Sequence, residues 1–176
     1  MPDNPAWIQL FYSAVLMTPK AQEALKISPA SLPAGMTAES AASGEATGWF
    51  AGRSALQRTV IVGDLNIAPL EHDVWSHRQL LNVVSHTEPE VAGLLGWQRT
   101  GFVDAVRHFV PADEKLFTWW SYRNQDWRLS DRGRRLDHIW VTPDLQGGLT
   151  RHAILKDARD WTQPSDHVPV CVELAL

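Results

Sequence analysis

Two polar side chains, Asp64 and Asn66, follow directly after the apolar stretch TVIVG. The β-branched residues from Thr59 to Val62 predict a buried strand, and Gly63 predicts its end. Residues two apart lean to the same side of an extended backbone, so the carboxylate and the carboxamide can act together. Burying such groups is costly unless they bind something. Alone, the pattern fits an ordinary turn as well as a ligand site.

Two later stretches favour a site. The sequence LDHIWVT places Asp137 beside an apolar and aromatic run, and SDHVPVCVEL places Asp166 and His167 at the head of a final strand. If these strands share one sheet with the first, all of the polar side chains converge at one rim. Clustered carboxylates repel each other and are tolerated mainly around a hard cation such as Mg²⁺. The sequence therefore predicts a cation-dependent site at that rim.

Four motifs occur in a fixed order along the chain: GDLNIAP, FTWWSYR, GRRLDHIW and SDHVPV. In that order they resemble the second half of the exonuclease III family of abasic-site endonucleases, within the endonuclease/exonuclease/phosphatase superfamily. The likeness runs from about Trp49 to Leu176. GDxN and SDH alone would indicate only the superfamily, which also includes inositol-phosphate phosphatases and sphingomyelinases. The Trp-rich segment and the arginines near it are typical of the DNA-acting branch.

The resemblance implies an α+β fold, the DNase I-like four-layer α/β sandwich, with the active site at the shared rim of two packed sheets. We expect a partial version that retains mainly the second sheet and its helices. Residues 49–176 are then the C-terminal part of the domain, and residues 1–48 are a non-matching, partly flexible region. The segment from Ser28 to Gly48 is rich in Ala, Ser, Gly and Pro, a composition that also predicts flexibility.

The resemblance also implies a role for each rim residue. Asp64 activates the attacking water or handles its proton, and Asn66 orients that water or the phosphate. Asp137 accepts a hydrogen bond from His167, which then contacts the scissile phosphate as a charged donor. Asp166 and Asp64 hold the metal, Mg²⁺ or Mn²⁺. For His167, the structural alternative is a core histidine with its hydrogen bonds satisfied.

The FTWWSYR segment predicts a strand in which Trp119 and Trp120 point to opposite faces. One tryptophan can then pack in the core while the other meets a ligand, although burial of both is a common alternative. By resemblance, Trp119 matches an aromatic residue that lines the pocket for a flipped-out abasic sugar, and Arg123, Arg134 and Asn66 contact DNA. The expected partner is double-stranded DNA with abasic sites or 3′ ends.

The formal net charge of −4 argues against a generally basic nucleic-acid-binding surface. One stretch is nevertheless locally basic. Between Arg123 and Arg135 it holds five arginines but only two acids, Asp126 and Asp131. A basic loop is what a contact with the phosphate backbone needs, and a solvated loop is the alternative.

Parts of the family pattern have no counterpart in this sequence. The N-terminal strand with its Asn and the Glu of the "QE" motif, the principal metal ligand, are missing. Tyr12 matches the tyrosine of a Tyr-x-Pro-x-Gly strand end, but it lacks the following Pro and Gly. A buried aromatic is the alternative for Tyr12. Because the loss of an anionic ligand weakens Mg²⁺ binding, an inactive chain is the alternative to an active nuclease.

The sequence therefore predicts an exodeoxyribonuclease III-like DNA-repair nuclease, with abasic-site endonuclease and 3′-5′ exonuclease activity. The alternatives are a catalytically dead DNA-binding fragment and another metal-dependent phosphoesterase of the superfamily. The single cysteine, Cys171, lies in an apolar strand and is expected in the core. The apolar segment from Trp7 to Met17 is too short to span a bilayer and makes a poor signal peptide. We expect a cytoplasmic protein with no membrane partner.

Overall fold

The computed structural model describes residues 7–12, 38–51 and 57–175. The strands are β1 (Trp7–Tyr12), β2 (Val60–Asp64), β3 (Val103–Asp104), β4 (Trp119–Trp120), β5 (Gly133–Arg134), β6 (Asp137–Val141), β7 (Leu149–Ile154) and β8 (Val170–Ala175). The α-helices are α1 (Ala38–Ala51), α2 (His77–Leu80), α3 (Glu88–Gln98), α4 (Trp127–Ser130) and α5 (Pro143–Gln146). Short 3₁₀ helices cover Glu71–Asp73 and Lys156–Asp160. Among the described helices, none is long and apolar enough to cross a membrane.

The described strands form two three-stranded antiparallel sheets and a two-stranded ribbon. One sheet has the order β1-β8-β7, the other has the order β2-β6-β3, and the ribbon joins β4 to β5. The strands of the three site motifs do not share one sheet, because β8 lies in a different sheet from β2 and β6. The described strands of the chain belong to two three-stranded sheets and a ribbon.

One hydrophobic core joins the two sheets, and this joint core brings their rims together. Ile139 and Val141 of β6 pack in the same cluster as the alternate residues Val170, Val172 and Leu174 of β8. Full burial of such a side chain is worth about 1.5–3 kcal/mol, so the cluster holds the sheets face to face. The central strand β6 is buried at every position. Cys171, on the other face of β8, is also buried, as predicted.

Strand β2 follows the predicted β-branched run, but it is less buried than predicted. Its residues are half-buried, and Val62 is exposed over 42% of its surface. Among the described strands, β2 pairs only with β6 and so forms an edge of its sheet. Their antiparallel register sets Asp64 directly opposite Asp137.

Helix α1 includes residues 38–48, where the composition predicted flexibility. The helix packs against α3, and aromatic contacts hold the C-terminal end of α1 in place. There Phe50 stacks on Trp97 with ring centroids 5.8 Å apart and meets Phe102 edge-on at 5.1 Å. Ser43 of this helix is buried. Residues 28–37 of the predicted flexible segment lie outside the described residues.

A buried ion-pair network joins segments that are distant in the sequence. The guanidinium of Arg135 lies 2.6 Å from Asp104 and 3.8 Å from Asp73, and Arg107 pairs with the same Asp73. Arg135 and Asp73 have no exposed surface. Buried charges require such pairing, so the network ties the segments around residues 73, 104, 107 and 135 into one arrangement.

Candidate active site

Three side chains meet at the rim between the two sheets. Asp64 ends β2, Asp137 begins β6, and His167 precedes β8. The Nδ1 atom of His167 lies 2.9 Å from Oδ2 of Asp137, within hydrogen-bond distance. Its Nε2 atom lies 3.6 Å from Oδ2 of Asp64. A single imidazole ring thus lies between two carboxylates, one from each paired strand.

Backbone pairing brings the SDH segment to this rim. Trp119 and His167 form an antiparallel bridge. The carbonyl of Asp166 accepts a hydrogen bond from the Trp120 N–H at 2.9 Å, and the Val168 N–H donates to the Thr118 carbonyl at 2.8 Å. The short segment from Thr118 to Trp120 therefore fixes the position of His167 relative to the β2–β6 pair.

Thr118 is a positioning residue that the sequence reasoning missed. Its buried hydroxyl oxygen accepts hydrogen bonds from the backbone N–H groups of Leu136 (3.0 Å) and Asp137 (3.2 Å). Together with its carbonyl bond to Val168, it connects the Asp137 end of β6 to the His167 segment. A polar residue inside an apolar strand motif needs a buried partner, and that requirement was the available signal.

The electrostatics of the rim shift the pKa values of Asp64 and His167. Burial raises the pKa of Asp64 to about 6; His167 opposes this shift, and the nearby charges of Asp137 and Asp166 add to it. Burial also disfavours the charged imidazolium of His167, but the hydrogen bond and charge of Asp137 outweigh it. The pKa of His167 is therefore raised, with Asp64 and Asp166 contributing. The arrangement favours a protonated His167 beside a carboxylate that can exchange a proton near neutral pH.

The rim carboxylates fit a divalent cation. One ligand atom from each of Asp64, Asp137 and His167 can be chosen so that all lie within 4.8 Å of one another. Within the described residues, Oδ1 of Asp137 is buried and has no hydrogen-bond partner. Carboxylate oxygens are the donors that Mg²⁺ prefers. Asp166 lies outside this group of three, and its Oδ2 accepts a hydrogen bond from the Trp119 indole at 2.9 Å.

Two further predicted site residues lie beside this cluster. Asn66 is exposed, adopts a left-handed conformation with φ of 55°, and donates its backbone N–H to Oδ1 of Asp64 at 3.0 Å. This local bond holds the carboxylate of Asp64 in a turn after the strand. Tyr12 ends β1 opposite Val170 at the start of β8, so its backbone lies at the same end of the sheet as His167.

A cavity of about 750 Å³ opens next to Asp166, and we call it the tryptophan–arginine groove. Its lining includes the aromatic residues Trp75, Trp119 and Tyr122, the arginines Arg123, Arg132 and Arg134, and the acid Asp166. Trp120 is buried in the core, whereas Trp119 is half-buried and faces the groove, so the two tryptophans do point to opposite faces. Because Asp166 lines the groove and directly precedes His167 in the chain, the groove lies next to the rim.

The five arginines of the basic stretch divide between structure and groove. Arg128 pairs with Asp157 and Asp160 on the surface, and Arg135 is buried in its ion-pair network. The remaining three, Arg123, Arg132 and Arg134, line the groove. The expectation that the whole stretch is one basic loop is thus wrong for two of its members.

The fold and motifs match known nucleases. An abasic-site endonuclease structure from Archaeoglobus fulgidus superimposes with a TM-score of 0.72 and 27% identity, covering 78% of this chain and 53% of that one. The exodeoxyribonuclease of Bacillus subtilis is 32% identical over 111 residues, which are 63% of this chain and 42% of that protein. Exodeoxyribonuclease III of Haemophilus influenzae is 30% identical over 120 residues, 65% of this chain and 45% of that protein.

These matches confirm the resemblance inferred from the motifs and the partial DNase I-like fold. The chain spans less than half the length of the two curated relatives. The family profile matches residues 6–167, so the match begins well before the boundary expected at residue 48; that boundary stays a prediction. On the strength of this match, the chain belongs to the Endonuclease/Exonuclease/phosphatase family.

Proposed function

We propose that the rim hydrolyses phosphodiester bonds of DNA with a divalent metal. The activity would be that of an exodeoxyribonuclease III-like enzyme, an abasic-site endonuclease and 3′-5′ exonuclease. The observation that carries the proposal is the position of His167, which is hydrogen-bonded to Asp137 through Nδ1 and has its Nε2 atom 3.6 Å from Oδ2 of Asp64. This arrangement lies beside a groove lined by three arginines. The similarity to the exodeoxyribonuclease of Bacillus subtilis and to exodeoxyribonuclease III of Haemophilus influenzae supports the proposal.

His167 is the proposed phosphate contact. Its Nδ1 donates to Asp137, an arrangement that fixes the ring and favours the imidazolium. The other ring nitrogen, Nε2, is then a charged donor directed toward the space beside Asp64. Charged donors that face the phosphoryl oxygens stabilise the negative charge that builds on them during hydrolysis.

Asp64 is the proposed proton acceptor for the attacking water. A pKa of about 6 leaves its carboxylate mostly ionised at neutral pH while keeping it basic enough to take a proton. Its backbone contact with Asn66 limits the rotation of the carboxylate. The exposed Asn66 side chain is proposed to orient the water or the phosphate.

The metal is proposed to be Mg²⁺ or Mn²⁺, held by Asp64 and Asp166, with Asp137 close by. A bound divalent ion supplies charge stabilisation at the phosphoryl group. Asp166 has one carboxylate oxygen bonded to the Trp119 indole, which leaves its other oxygen available to a ligand. The protein's own contribution is the orientation of these oxygens by Asn66, Trp119 and Thr118.

Double-stranded DNA with abasic sites or 3′ ends is the proposed substrate. Three arginines and one acid line the groove, although the chain as a whole carries a net charge of −4. This local excess of positive charge complements a phosphate backbone. Trp119 presents a half-buried ring at the junction of groove and rim, where an extrahelical sugar would pack.

The direct test is cleavage of a duplex that carries one abasic site, with Mg²⁺ and with excess EDTA. The proposal expects metal-dependent nicking at the abasic site, little cleavage of the same intact duplex, and removal of nucleotides from recessed 3′ ends. Turnover of small phosphodiesters without DNA cleavage would replace this function with another phosphoesterase activity.

A second candidate is DNA binding without cleavage. It is favoured by the make-up of the rim, since no glutamate joins Asp64, Asp137 and His167 in the group of close ligand atoms among the described residues. Salt-dependent binding of the duplex by a folded protein that does not nick it, even with millimolar Mg²⁺, would select this candidate.

A further inference from the structure

A second aromatic–arginine pair lies in the groove, beyond the one that Trp119 forms. The Arg134 guanidinium lies 5.4 Å from the ring centroid of Trp119, whose indole N–H donates to Asp166. The guanidinium of Arg132 lies 4.8 Å from the ring centroid of Trp75. Both pairs line the same cavity, but nothing in the rim chemistry uses the second one.

Strand β5 arranges the two pairs side by side. It runs between two neighbours, since Arg134 is opposite Trp119 on one side and Val74 on the other. The Trp75 N–H also donates to the Gly133 carbonyl at 3.0 Å. Gly133 packs on Phe117, where a Cβ atom would lie only 2.6 Å from the Phe117 ring. Arg132 and Arg134 are two apart and therefore project from the same face of this extended segment.

The two arginines differ in what their N–H groups already bind. The Nη1 of Arg134 donates to the Val84 carbonyl and the Ser85 hydroxyl, at 2.9 and 2.7 Å. Arg132 is exposed, and among the described residues its guanidinium makes no hydrogen bond or ion pair. Its contact with Trp75 restrains the planar group while leaving its donor edge open. A restrained guanidinium loses less side-chain entropy when it binds a phosphate.

We propose that Arg132, held on Trp75, is a phosphate-binding position for the DNA strand, next to the nucleotide at Trp119. The proposal rests on the DNA-directed function above and adds a specific anchor to it. The ligand is a backbone phosphodiester, because Arg132 offers a fork of N–H donors without a neighbouring acid in the groove other than Asp166. Trp75 contributes by holding the guanidinium and by covering one of its faces.

The test measures binding and does not depend on cleavage. A fluorescent duplex with one abasic-site analogue is titrated with the full chain in EDTA, at several salt concentrations. Arg132→Gln is expected to weaken binding roughly tenfold at low salt and to lower the salt slope by about 0.9, the value for one phosphate contact. Arg128→Gln is the matched control, because it removes the same charge from an arginine that pairs with Asp157 and Asp160.

Substitutions of Trp75 distinguish the role of its ring, the platform on which Arg132 stacks, from the role of the Arg132 charge. Trp75→Leu keeps an apolar side chain and should weaken binding about two- to fivefold without changing the salt slope. Trp75→Phe keeps an aromatic face and should restore most of the affinity. Thermal unfolding of each variant identifies any loss of folded protein.

The outcomes are distinguishable from those of the hydrolysis test. Equal salt slopes for Arg132→Gln and Arg128→Gln would overturn the phosphate-binding position, whether or not the protein nicks DNA. Unchanged affinity in Trp75→Leu would overturn the platform. A lowered slope in Arg132→Gln alone would uphold the position even for a chain without nuclease activity.

Discussion

Arg132 and Arg135 are three residues apart and lie in opposite environments. Arg135 has no exposed surface, pairs with Asp104 at 2.6 Å, and lies near Asp73. Arg132 is exposed on the Trp75 ring with no acid bound to it among the described residues. One arginine holds loops together, and the other presents its charge to the groove.

Alternation about strand β5 explains this difference. Arg132 and Arg134 project to the groove, whereas Arg135 projects to the opposite side, toward the core. Arginines that are neighbours in the sequence therefore form two groups in the structure, one lining the groove and one buried. A buried charge whose partner is lost is left uncompensated, whereas an exposed charge stays hydrated. The two groups should respond to mutation in different ways.

The largest expected effect is on the buried side. Arg135→Ala leaves the buried carboxylate of Asp104 without its cation, while Asp73 keeps its pair with Arg107. The variant should lower the free energy of unfolding by about 3–5 kcal/mol. Urea denaturation followed by tryptophan fluorescence measures this loss. A change below about 1 kcal/mol would show that the network does not hold these loops.

Thr118 offers a smaller, more local effect. Thr118→Val keeps the volume but leaves the N–H groups of Leu136 and Asp137 without their acceptor, which should cost about 1–3 kcal/mol. Thr150→Val is the control, since the Thr150 hydroxyl is exposed. Equal stability of the two variants in urea would contradict the positioning role.

The buried network also predicts how stability depends on pH. Burial raises the pKa of Asp104, but Arg135 and the backbone N–H of Arg107 outweigh this and hold it below the ordinary value. The ionised Asp104 therefore contributes its full stabilisation above the unfolded-state pKa of about 3.9. This stabilisation is lost as the pH falls through the lower pKa that Asp104 has in the folded protein. The unfolding free energy of the wild type should fall over that range. Asp104→Asn should lose less over the same range, and parallel curves would refute the assignment.

The smallest effect is expected on the groove side. Arg132→Gln and Arg123→Gln should each change the unfolding free energy by no more than about 0.5 kcal/mol, because both side chains are exposed. Urea denaturation, run beside that of Arg135→Ala, checks this. A loss above about 2 kcal/mol in either variant would remove the distinction between the two arginine groups.

Local sequence patterns predicted the ends of strands better than their pairing. The acids and histidine at strand ends could be found because polar residues beside apolar runs are visible in sequence. The sequence could not show that β8 belongs to a different sheet from β2 and β6, because strand pairing depends on contacts between residues that are distant in the sequence. Likewise, the small-residue composition of α1 gave no sign of the Phe50 contact with Trp97 that anchors it.

Within the candidate site, the sequence predicted single residues and missed their connections. Asp64, Asp137 and His167 lie together, as their motifs suggested. The hydrogen bond from Trp119 to Asp166 and the platform of Trp75 under Arg132 were not predicted. These contacts join side chains from different motifs, and no spacing within one motif encodes them.

The proposed hydrolysis at the rim can be measured by single-turnover nicking of a duplex with one abasic site in Mg²⁺. Asp64→Asn is compared with Asp113→Asn, an equal charge change at an exposed position. If the rim hydrolyses DNA, Asp113→Asn should nick the duplex at the wild-type rate and Asp64→Asn should be slower by roughly 10²-fold or more, with both proteins binding the duplex. Equal nicking by the two variants, or no nicking by the folded wild type, would contradict the proposed hydrolysis.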